Sequence, residues 1–388
     1  MSIQQPILTK IYLDYAATTP LDARVLAAMQ PYFLHEFGNS SSVHGYGQQA
    51  EAALESARET VASALNARAD EIIFTSGGSE SDNLALRGVA FARRKLGYTH
   101  LVVNHGEHHA VSHTAQQLAD EFGFEVSYAP LNRYGQVTPE AVAACLRPDT
   151  ALVSVMYANN EIGSINPIAQ IGALCHERGV LLHTDAVQAA AWLPVDVNAL
   201  NVDLLSLGAH KFYGPKGVGA LYVRNGTPLL PMQTGGSQER GRRAGTHNLP
   251  YIVGMAHALQ FAQAERAART AHVIPLRDHL IGSVLEAVPH AQLSGHPQER
   301  LPNHASFVFE GADGNFLLAL LDTAGFACSS GSACKTGSPE PSEVLTALGL
   351  PRAWAFGSLR VTLGVASTAE EVRALAAALP NLVQKARR

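Results

Sequence analysis

Short runs of apolar and β-branched residues alternate with longer segments of helical periodicity over the first two thirds of the chain. Six of the short runs predict β-strands, at 71–75, 100–103, 151–157, 180–183, 203–207 and 219–223. Four of the longer segments predict helices, at 48–65, 81–96, 109–122 and 168–178. Alternation of this kind is typical of a mainly parallel sheet with helices packed on its faces. The pattern therefore predicts an open α/β sheet.

The strand pattern fades after about residue 255, where a helical run at 254–270 leads into a region of mixed character. We predict a large domain over 17–262 and a smaller α/β domain made of 1–16 and 263–388. Within the smaller domain, 328–342 is rich in Ser, Gly and Pro, a composition typical of a loop. This segment contains Cys334.

Polar or glycine-rich segments follow four of the predicted strands. They are 76–79, 159–161, 184–186 and 208–211. Ligands of open α/β sheets bind outside the carboxyl ends of the strands. We therefore expect these segments to meet in space and to form the functional site.

The composition narrows the class of protein. With 388 residues, of which 47% are hydrophobic and 16% charged, the chain can bury a large core. A net charge of -5 gives no electrostatic reason to expect binding to nucleic acid. The sequence contains neither a recognisable signal peptide at 1–14 nor a run of about 20 apolar residues that could span a membrane, so we expect a cytoplasmic protein.

The four cysteines are too few for a disulfide scaffold, and none belongs to a C-x-x-C pair. They are Cys145, Cys175, Cys328 and Cys334. At least one is a candidate for a reactive thiol.

Residues 75–83, Thr-Ser-Gly-Gly-Ser-Glu-Ser-Asp-Asn, join a predicted strand to a predicted helix. Exposed N–H groups at a helix N-terminus, with Gly78 and Ser79 beside them, would make a phosphate-binding site. An ordinary capped turn explains the spacing equally well. The segment lacks the G-x-x-x-x-G-K-[ST] pattern of a P-loop.

Lys211 follows the predicted strand 203–207. A lysine just past a buried strand can be partly desolvated, which lowers the pKa of its amine and allows it to form a Schiff base, although most lysines are simply solvated. Asp185 lies just after the preceding predicted strand, 180–183, and could pair with the pyridine nitrogen of pyridoxal 5'-phosphate (PLP). A helix cap is the simpler interpretation of Asp185 alone.

Taken in order, the motifs of this chain resemble those of the cysteine desulfurases of the nitrogenase and iron-sulfur-cluster-assembly type, within the class V aminotransferase-like, fold-type I PLP enzymes. The motifs stand at 12–20, 74–83, 159–163, 210–219, 243–246 and 329–334. No one of them is decisive, but their joint order is specific. The resemblance implies the PLP-dependent transferase fold of type I, with a large domain around a mainly parallel central sheet and a smaller α/β domain.

The resemblance also implies roles for individual residues. Those expected to bind the cofactor are Gly78, Ser79, His108, Asn160, Asp185, Gln188, His210, Lys211 and Thr246. Lys211 would hold PLP as a Schiff base, and Asp185 would pair with the pyridinium. His108 would stack on the ring and Gln188 would contact its phenolic oxygen. Gly78, Ser79, His210 and Thr246 would hold the phosphate. Thr246 would come from a second subunit, which implies a homodimer.

The implied reaction converts L-cysteine to L-alanine. Its expected catalytic residues are Cys334, Lys211 and His108, with Asn160 and Arg360 receiving the substrate, Arg360 through a bidentate grip on the carboxylate. Cys334 would take the substrate's sulfur as a persulfide and pass it to a sulfur-acceptor or cluster scaffold protein, with iron-sulfur cluster assembly as the expected use. A thiol in a Gly/Ser/Pro-rich loop suits such transfer. Cys328 is expected to be a residue of the loop base.

Several alternatives remain open at this point. A selenocysteine lyase or an aminotransferase would share Lys211 and Asp185, but neither explains Cys334 as well. A non-catalytic sulfur carrier would leave Lys211 unexplained. The histidines at 105, 108, 109 and 113 could suggest a metal, but H-E-x-x-H is missing and we predict no metal site. Gly208 stands where the family usually has a serine that contacts the phosphate, so one phosphate contact is in doubt.

Overall fold

The computed structural model of the chain describes residues 11–331 and 340–387. The strands are β1 (Ile11–Tyr12), β2 (Ile72–Thr75), β3 (His100–Asn104), β4 (Glu125–Ala129), β5 (Thr150–Ser154), β6 (Leu181–Asp185), β7 (Leu204–Gly208), β8 (Gly219–Val223), β9 (Ala291–Leu293), β10 (His304–Phe309), β11 (Phe326–Ala327) and β12 (Ser358–Thr362). The helices are α1 (Ala23–Met29), α2 (Pro31–Leu34), α3 (Gly45–Leu65), α4 (Gly78–Arg94), α5 (His109–Phe122), α6 (Pro139–Cys145), α7 (Ile168–Glu177), α8 (Leu249–Ala264), α9 (Arg266–Ala287), α10 (Gly314–Thr323), α11 (Glu343–Ala347), α12 (Arg352–Ala355) and α13 (Ala369–Ala386). Short 3-10 turns lie at Ala69–Glu71, Ala209–Lys211 and Gln238–Gly241.

The central sheet has the strand order β2-β8-β7-β6-β5-β3-β4. Its pairings are parallel except those of β8, which is antiparallel to both β2 and β7. Strands β6 and β7 therefore run in the same direction, and the segments after Asp185 and Gly208 leave the sheet at the same edge. The predicted open, mainly parallel α/β sheet is confirmed.

Alternation along the strands distributes side chains between the two faces of this sheet. In β2, Ile72 and Phe74 join the apolar cluster that contains α3, α7 and α8, whereas Ile73 joins the cluster of α4 and α5. Both clusters are fully buried at these positions. The near-continuous apolar runs of the sequence thus correspond to strands covered on both faces.

Strand β4 and the start of helix α4 are among the differences from the sequence prediction. Strand β4 was not expected, because its residues Glu125–Ala129 are mostly half-exposed at the sheet edge and their polar and apolar residues alternate only briefly. Helix α4 begins at Gly78 rather than at 81. The earlier start places Gly78 and Ser79 in the first helical turn, whose N–H groups have no partner within the helix.

The chain beyond α8 forms a three-stranded antiparallel sheet of order β12-β10-β9, flanked by α9, α10 and α13. Strand β1 pairs in parallel with β11, so the N-terminal segment is joined to this part of the molecule. One apolar cluster continues from the central sheet through α8 into α9 and β10. The domain limits 17–262 and 263–388 therefore remain a prediction. None of the described helices has the length and apolar character needed to cross a membrane.

Leu152 in β5 offers a direct test of the core, because it is 1% exposed in the middle of the central sheet. We expect Leu152→Ala to lower the free energy of unfolding by about 2–5 kcal/mol, since it removes buried methyl groups and leaves a cavity. Leu96→Ala is the control, because Leu96 is 71% exposed and its loss should cost less than about 0.5 kcal/mol. Urea unfolding measures the stability of both variants. Equal midpoints for the two would contradict the placement of Leu152 in the buried core.

Candidate active site

A cavity of about 310 Å³ opens where the segments after the strands meet. The predicted residues that line it are Gly78, Ser79, His108, Asn160, Asp185, Gln188, His210, Lys211 and Arg360. They come from segments that are far apart in the sequence, so their convergence is a property of the fold. The volume lies at the lower end of the range for small-molecule sites.

Lys211 ends the 3-10 turn that follows β7. Its Nζ atom donates hydrogen bonds to the carbonyl oxygens of Ala16 at 2.6 Å and Ala17 at 2.8 Å. The Gln188 side-chain amide also donates to the Ala16 oxygen, at 2.9 Å. The N-terminal segment thus forms one wall of the cavity and holds the amine there.

Asp185 is the last residue of β6 and is 6% exposed. Its Oδ1 atom accepts a hydrogen bond from the backbone N–H of Val187 at 2.8 Å. Burial raises the pKa of Asp185, whereas nearby His108 and Lys211 act in the opposite direction. A carboxylate in such a place is stabilised by a cationic partner, and a protonated pyridine nitrogen is a partner of that kind.

His108 caps the N-terminus of α5, where its Nδ1 atom accepts a hydrogen bond from the N–H of Ala110 at 3.1 Å. Burial lowers the pKa of His108, although Asp185 opposes the shift. Because Nδ1 is an acceptor, the neutral ring carries its proton on Nε2. His108 is therefore available as a neutral ring with one defined donor.

The first turn of α4 lines the cavity together with His210. Burial, with smaller effects from Lys211 and Lys216, lowers the pKa of His210 to about 4, and its Nδ1 atom lies 3.1 Å from Thr18 Oγ1. A Cβ atom on Gly208 would lie 3.3 Å from the backbone nitrogen of Gly78. The missing side chain at 208 therefore leaves space directly beside a helix N–H. These groups suit a phosphate.

Arg360 on β12 is 2% exposed and brings a positive charge to the cavity. Its Nη2 atom donates to Asp14 Oδ1 at 2.9 Å, and its Nη1 atom donates to the backbone oxygen of Asn160 at 3.0 Å. Its Nε atom has no hydrogen-bond partner within residues 11–331 and 340–387. One more acceptor, such as a substrate carboxylate, would satisfy the remaining hydrogen-bond donor of this guanidinium.

Asp82 and Glu107 also line the cavity, and neither was expected there from the sequence. Glu107 Oε1 accepts from the N–H of Met156 at 2.8 Å, and burial raises the pKa of Glu107 to about 8. Burial, and then the charge of Asp185, raise the pKa of Asp82 well above its usual range. Glu107 therefore holds a proton at neutral pH, and burial disfavours the charged form of Asp82 as well. The position of Glu107 directly before His108 was the available sequence signal, whereas Asp82 lies within helix α4 and gave none.

Thr246 is exposed and does not line the cavity of its own chain. Cys334 lies outside the described residues. Burial raises the pKa of the Cys328 thiol, with Asp14 adding to the shift, so Cys328 is a poor nucleophile. Among the clustered histidines, the His109 ring stacks on His113 with their centroids 4.5 Å apart.

The raised pKa of Glu107 predicts how the stability of the protein changes with pH. The pKa of Glu107 is raised from 4.5 to about 8 in the folded chain, so the folded state retains the proton more tightly than the unfolded state. The stability that this proton contributes is complete below about pH 4.5 and is lost as the pH rises through about 8. We expect Glu107→Gln, which stays neutral, to lose less thermal stability than the wild type between pH 5 and pH 8.5.

Exposed Glu59 on α3 provides the matched control. Glu59→Gln should follow the wild-type pH profile in the same thermal unfolding series. A Glu107→Gln profile parallel to that of the wild type would show that Glu107 is ionised throughout.

The chain is similar in sequence to proteins of a known family. The family model described as aminotransferase class-V matches residues 11–375. The chain is 48% identical to the cysteine desulfurase IscS of Methanosarcina thermophila over 377 residues, covering 97% of this chain and 93% of the relative. It is 46% identical over 378 residues to the cysteine desulfurase IscS of Dictyoglomus turgidum, covering 97% and 95% respectively.

Solved structures give the same result. A NifS-like protein superposes with a TM-score of 0.90 at 36% identity, covering 97% of this chain and all of the other. DndA from Streptomyces lividans superposes with a TM-score of 0.78 at 38% identity, covering 91% and 99% respectively. These matches confirm the predicted fold type and dependence on PLP. The chain therefore belongs to the class-V aminotransferase family and, within it, to the PLP-dependent cysteine desulfurases.

Proposed function

We propose that the chain converts L-cysteine to L-alanine and keeps the sulfur as a persulfide on Cys334. The observation that carries the proposal is the convergence of Lys211, Asp185 and His108 in one cavity whose wall contains Arg360. PLP, when bound, supplies an electron sink for the negative charge that develops on the substrate's α-carbon. The remaining steps belong to side chains of this protein.

Arg360 is the group that would orient the substrate. Its buried guanidinium already has one carboxylate partner, Asp14, and keeps its Nε donor without a partner in the described part of the chain. The carboxylate of L-cysteine would supply the missing acceptor. The Asn160 oxygen on Nη1 fixes the plane of the guanidinium, so the substrate would be presented in one orientation.

Two groups would move protons. Lys211 Nζ lies among backbone carbonyl oxygens and would take the proton from the substrate's α-carbon and later return it. His108 would donate from Nε2, because Nδ1 is fixed as an acceptor at the start of α5. Asp185, whose charged form is favoured by nearby His108 and Lys211, would stabilise a cationic ring nitrogen.

The sulfur step needs no external oxidant. The Cys334 thiolate would form a bond to the sulfur of the substrate while the carbon–sulfur bond of the substrate breaks, and the carbon fragment would take up protons to become L-alanine. The products are a Cys334 persulfide and L-alanine. We further propose that the persulfide passes its sulfur to an acceptor or scaffold protein for iron-sulfur cluster assembly, in the cytoplasm. Similarity to proteins named cysteine desulfurase IscS supports this use.

The proposed assembly is a homodimer in which Thr246 completes the phosphate site of the partner subunit. Thr246 is exposed and does not belong to the residues that line the cavity of its own chain. Nearby large apolar side chains are also exposed, Val43 by 90%, Phe37 by 66% and Tyr46 by 57%. The segment 37–46 that carries these side chains is linked to the Thr246 region by a hydrogen bond of 3.0 Å between Ser40 Oγ and His247 Nδ1. An exposed apolar patch of this kind, next to Thr246, supports the proposal that a second copy of the chain covers it.

The activity is tested by measuring alanine and sulfide released from L-cysteine in the presence of PLP and a thiol reductant. The wild type should release the two in equal amounts. We expect Cys334→Ala and Lys211→Ala to lose both products by roughly 10²-fold or more, because one lacks the sulfur nucleophile and the other lacks the proton-transferring amine.

Cys328→Ala is the matched control and should keep the wild-type rate, since burial raises the pKa of the Cys328 thiol. Undiminished alanine from Cys334→Ala would refute the persulfide role and indicate a lyase or a transaminase.

The dimer is tested by Val43→Asp, which places a charge on the exposed apolar patch. Because burying an unpaired charge in an interface is costly, we expect the dimer to dissociate at protein concentrations at which the wild type stays dimeric. Sedimentation velocity measures the change. Leu96→Asp, at an exposed leucine elsewhere, is the control, and a monomeric wild type would exclude the proposed assembly.

A further inference from the structure

The segment that presents Thr246 is fixed to its own subunit by a buried ion pair. We call residues 233–248 the Thr246 loop. Within it, Glu239 accepts hydrogen bonds from Arg58 Nη1 at 2.7 Å and Nη2 at 3.1 Å, with side chains only 1% and 4% exposed. Arg58 Nη1 also donates to the Ile72 oxygen, and the Phe74 N–H donates to Glu239 Oε2. The loop is therefore anchored to β2, the strand that leads into the phosphate-binding turn.

The backbone at this anchor is strained. Glu239 has φ = 49° and Arg240 has φ = 56°, the left-handed region that residues with a Cβ atom seldom adopt. Two consecutive residues persist in such a conformation only where surrounding contacts impose it. The bidentate Arg58 contact provides that constraint, and strained backbone of this kind concentrates at functional sites.

The network continues to the residue beside Thr246. His247 Nε2 lies 2.9 Å from Glu239 Oε1, while its Nδ1 atom contacts Ser40. On the other side of Thr246, the N–H of Gly245 donates to Gln238 Oε1 at 3.1 Å. Thr246 is thus an exposed hydroxyl between two neighbours that are held in place.

From this arrangement we infer that Glu239 is a positioning residue of the cofactor site, which holds the loop in the shape that lets Thr246 donate its hydroxyl to the PLP phosphate of the partner subunit. The inference rests on the proposed homodimer. The effect expected from Glu239 is on PLP binding and not on the stability of the fold, because a buried ion pair by itself is weak evidence for stabilisation. The geometry instead explains why a charged pair is kept beneath a loop whose tip contacts nothing in its own cavity.

The first experiment measures the Kd of PLP by titrating the apoenzyme and following the visible absorbance of the bound cofactor. We expect Glu239→Gln to weaken PLP binding about tenfold, similar to Thr246→Ala, because each removes the equivalent of one hydrogen bond to a charged group. The double variant should bind no more weakly than the single ones. Glu265→Gln is the control, since Glu265 also pairs with a nearly buried arginine, Arg269, but does not contact the loop.

Mixed dimers separate positioning across the interface from a local effect. Subunits of Glu239→Gln are combined with subunits of Lys211→Ala and isolated through two different affinity tags. The site with an intact Lys211 then belongs to the Glu239→Gln subunit but receives Thr246 from the other subunit. We expect this site to recover the wild-type Kd.

The mixed dimers test the role of Glu239 separately from the proposed contribution of Thr246 across the dimer. If Thr246→Ala is rescued by the Lys211→Ala subunit but Glu239→Gln is not, then Glu239 acts within its own subunit and the inference is overturned. If neither is rescued, the proposed contribution of Thr246 across the dimer fails as well.

Should Glu239→Gln fail to fold, His247→Ala takes its place, because it leaves the Arg58–Glu239 pair intact. It should weaken PLP binding in the homodimer and be rescued in the same mixed dimer. Wild-type PLP affinity in a folded His247→Ala homodimer would also overturn the inference.

Discussion

The electrostatic constraint at Asp185 is the one on which the rest of the site depends. Three carboxyl groups, those of Asp82, Glu107 and Asp185, lie in one buried region, and burial raises the pKa of each. They cannot all be ionised there, because charges in a poorly solvated site repel strongly. Lys211 and His108 oppose the upward shift of the Asp185 pKa. His183 lies 3.6 Å from Asp82, but burial lowers the pKa of His183 to about 3, so this ring stays neutral. Asp185 is therefore the carboxyl group of the three whose charged form nearby cationic groups favour, and it lies where a cofactor ring nitrogen is expected.

The N-terminal segment at 12–19 connects the two halves of this machinery. Its carbonyl oxygens hold the Lys211 amine, and Asp14 holds the Arg360 guanidinium. The same segment pairs with β11 and bridges to Thr362, so it belongs structurally to the C-terminal sheet. The groups proposed to bind the cofactor and the substrate, Lys211 and Arg360, are thereby connected by a few residues of backbone. A small displacement of this segment would affect both.

In the proposed homodimer, the Thr246 loop presents a single hydroxyl to the partner subunit. A flexible loop would lose conformational entropy each time it docked. The Arg58–Glu239 pair and the His247 bond order the loop before any partner arrives. Preorganisation of this kind is consistent with the two left-handed residues, whose strain is tolerated because the buried pair imposes their conformation.

The sequence by itself determined the open α/β sheet, the family and the positions of Lys211 and Asp185, because strand periodicity and motif order are local properties of the chain. Tertiary structure decided the rest. It showed that Asp82 and Glu107 share the buried region of Asp185, that Arg360 is already bound to Asp14, and that the β4 edge strand exists despite a weak pattern. The physical reason is that burial and Coulomb interaction depend on distance in space, and residues 82, 107 and 185 become neighbours only when parallel strands bring their carboxyl ends to one edge.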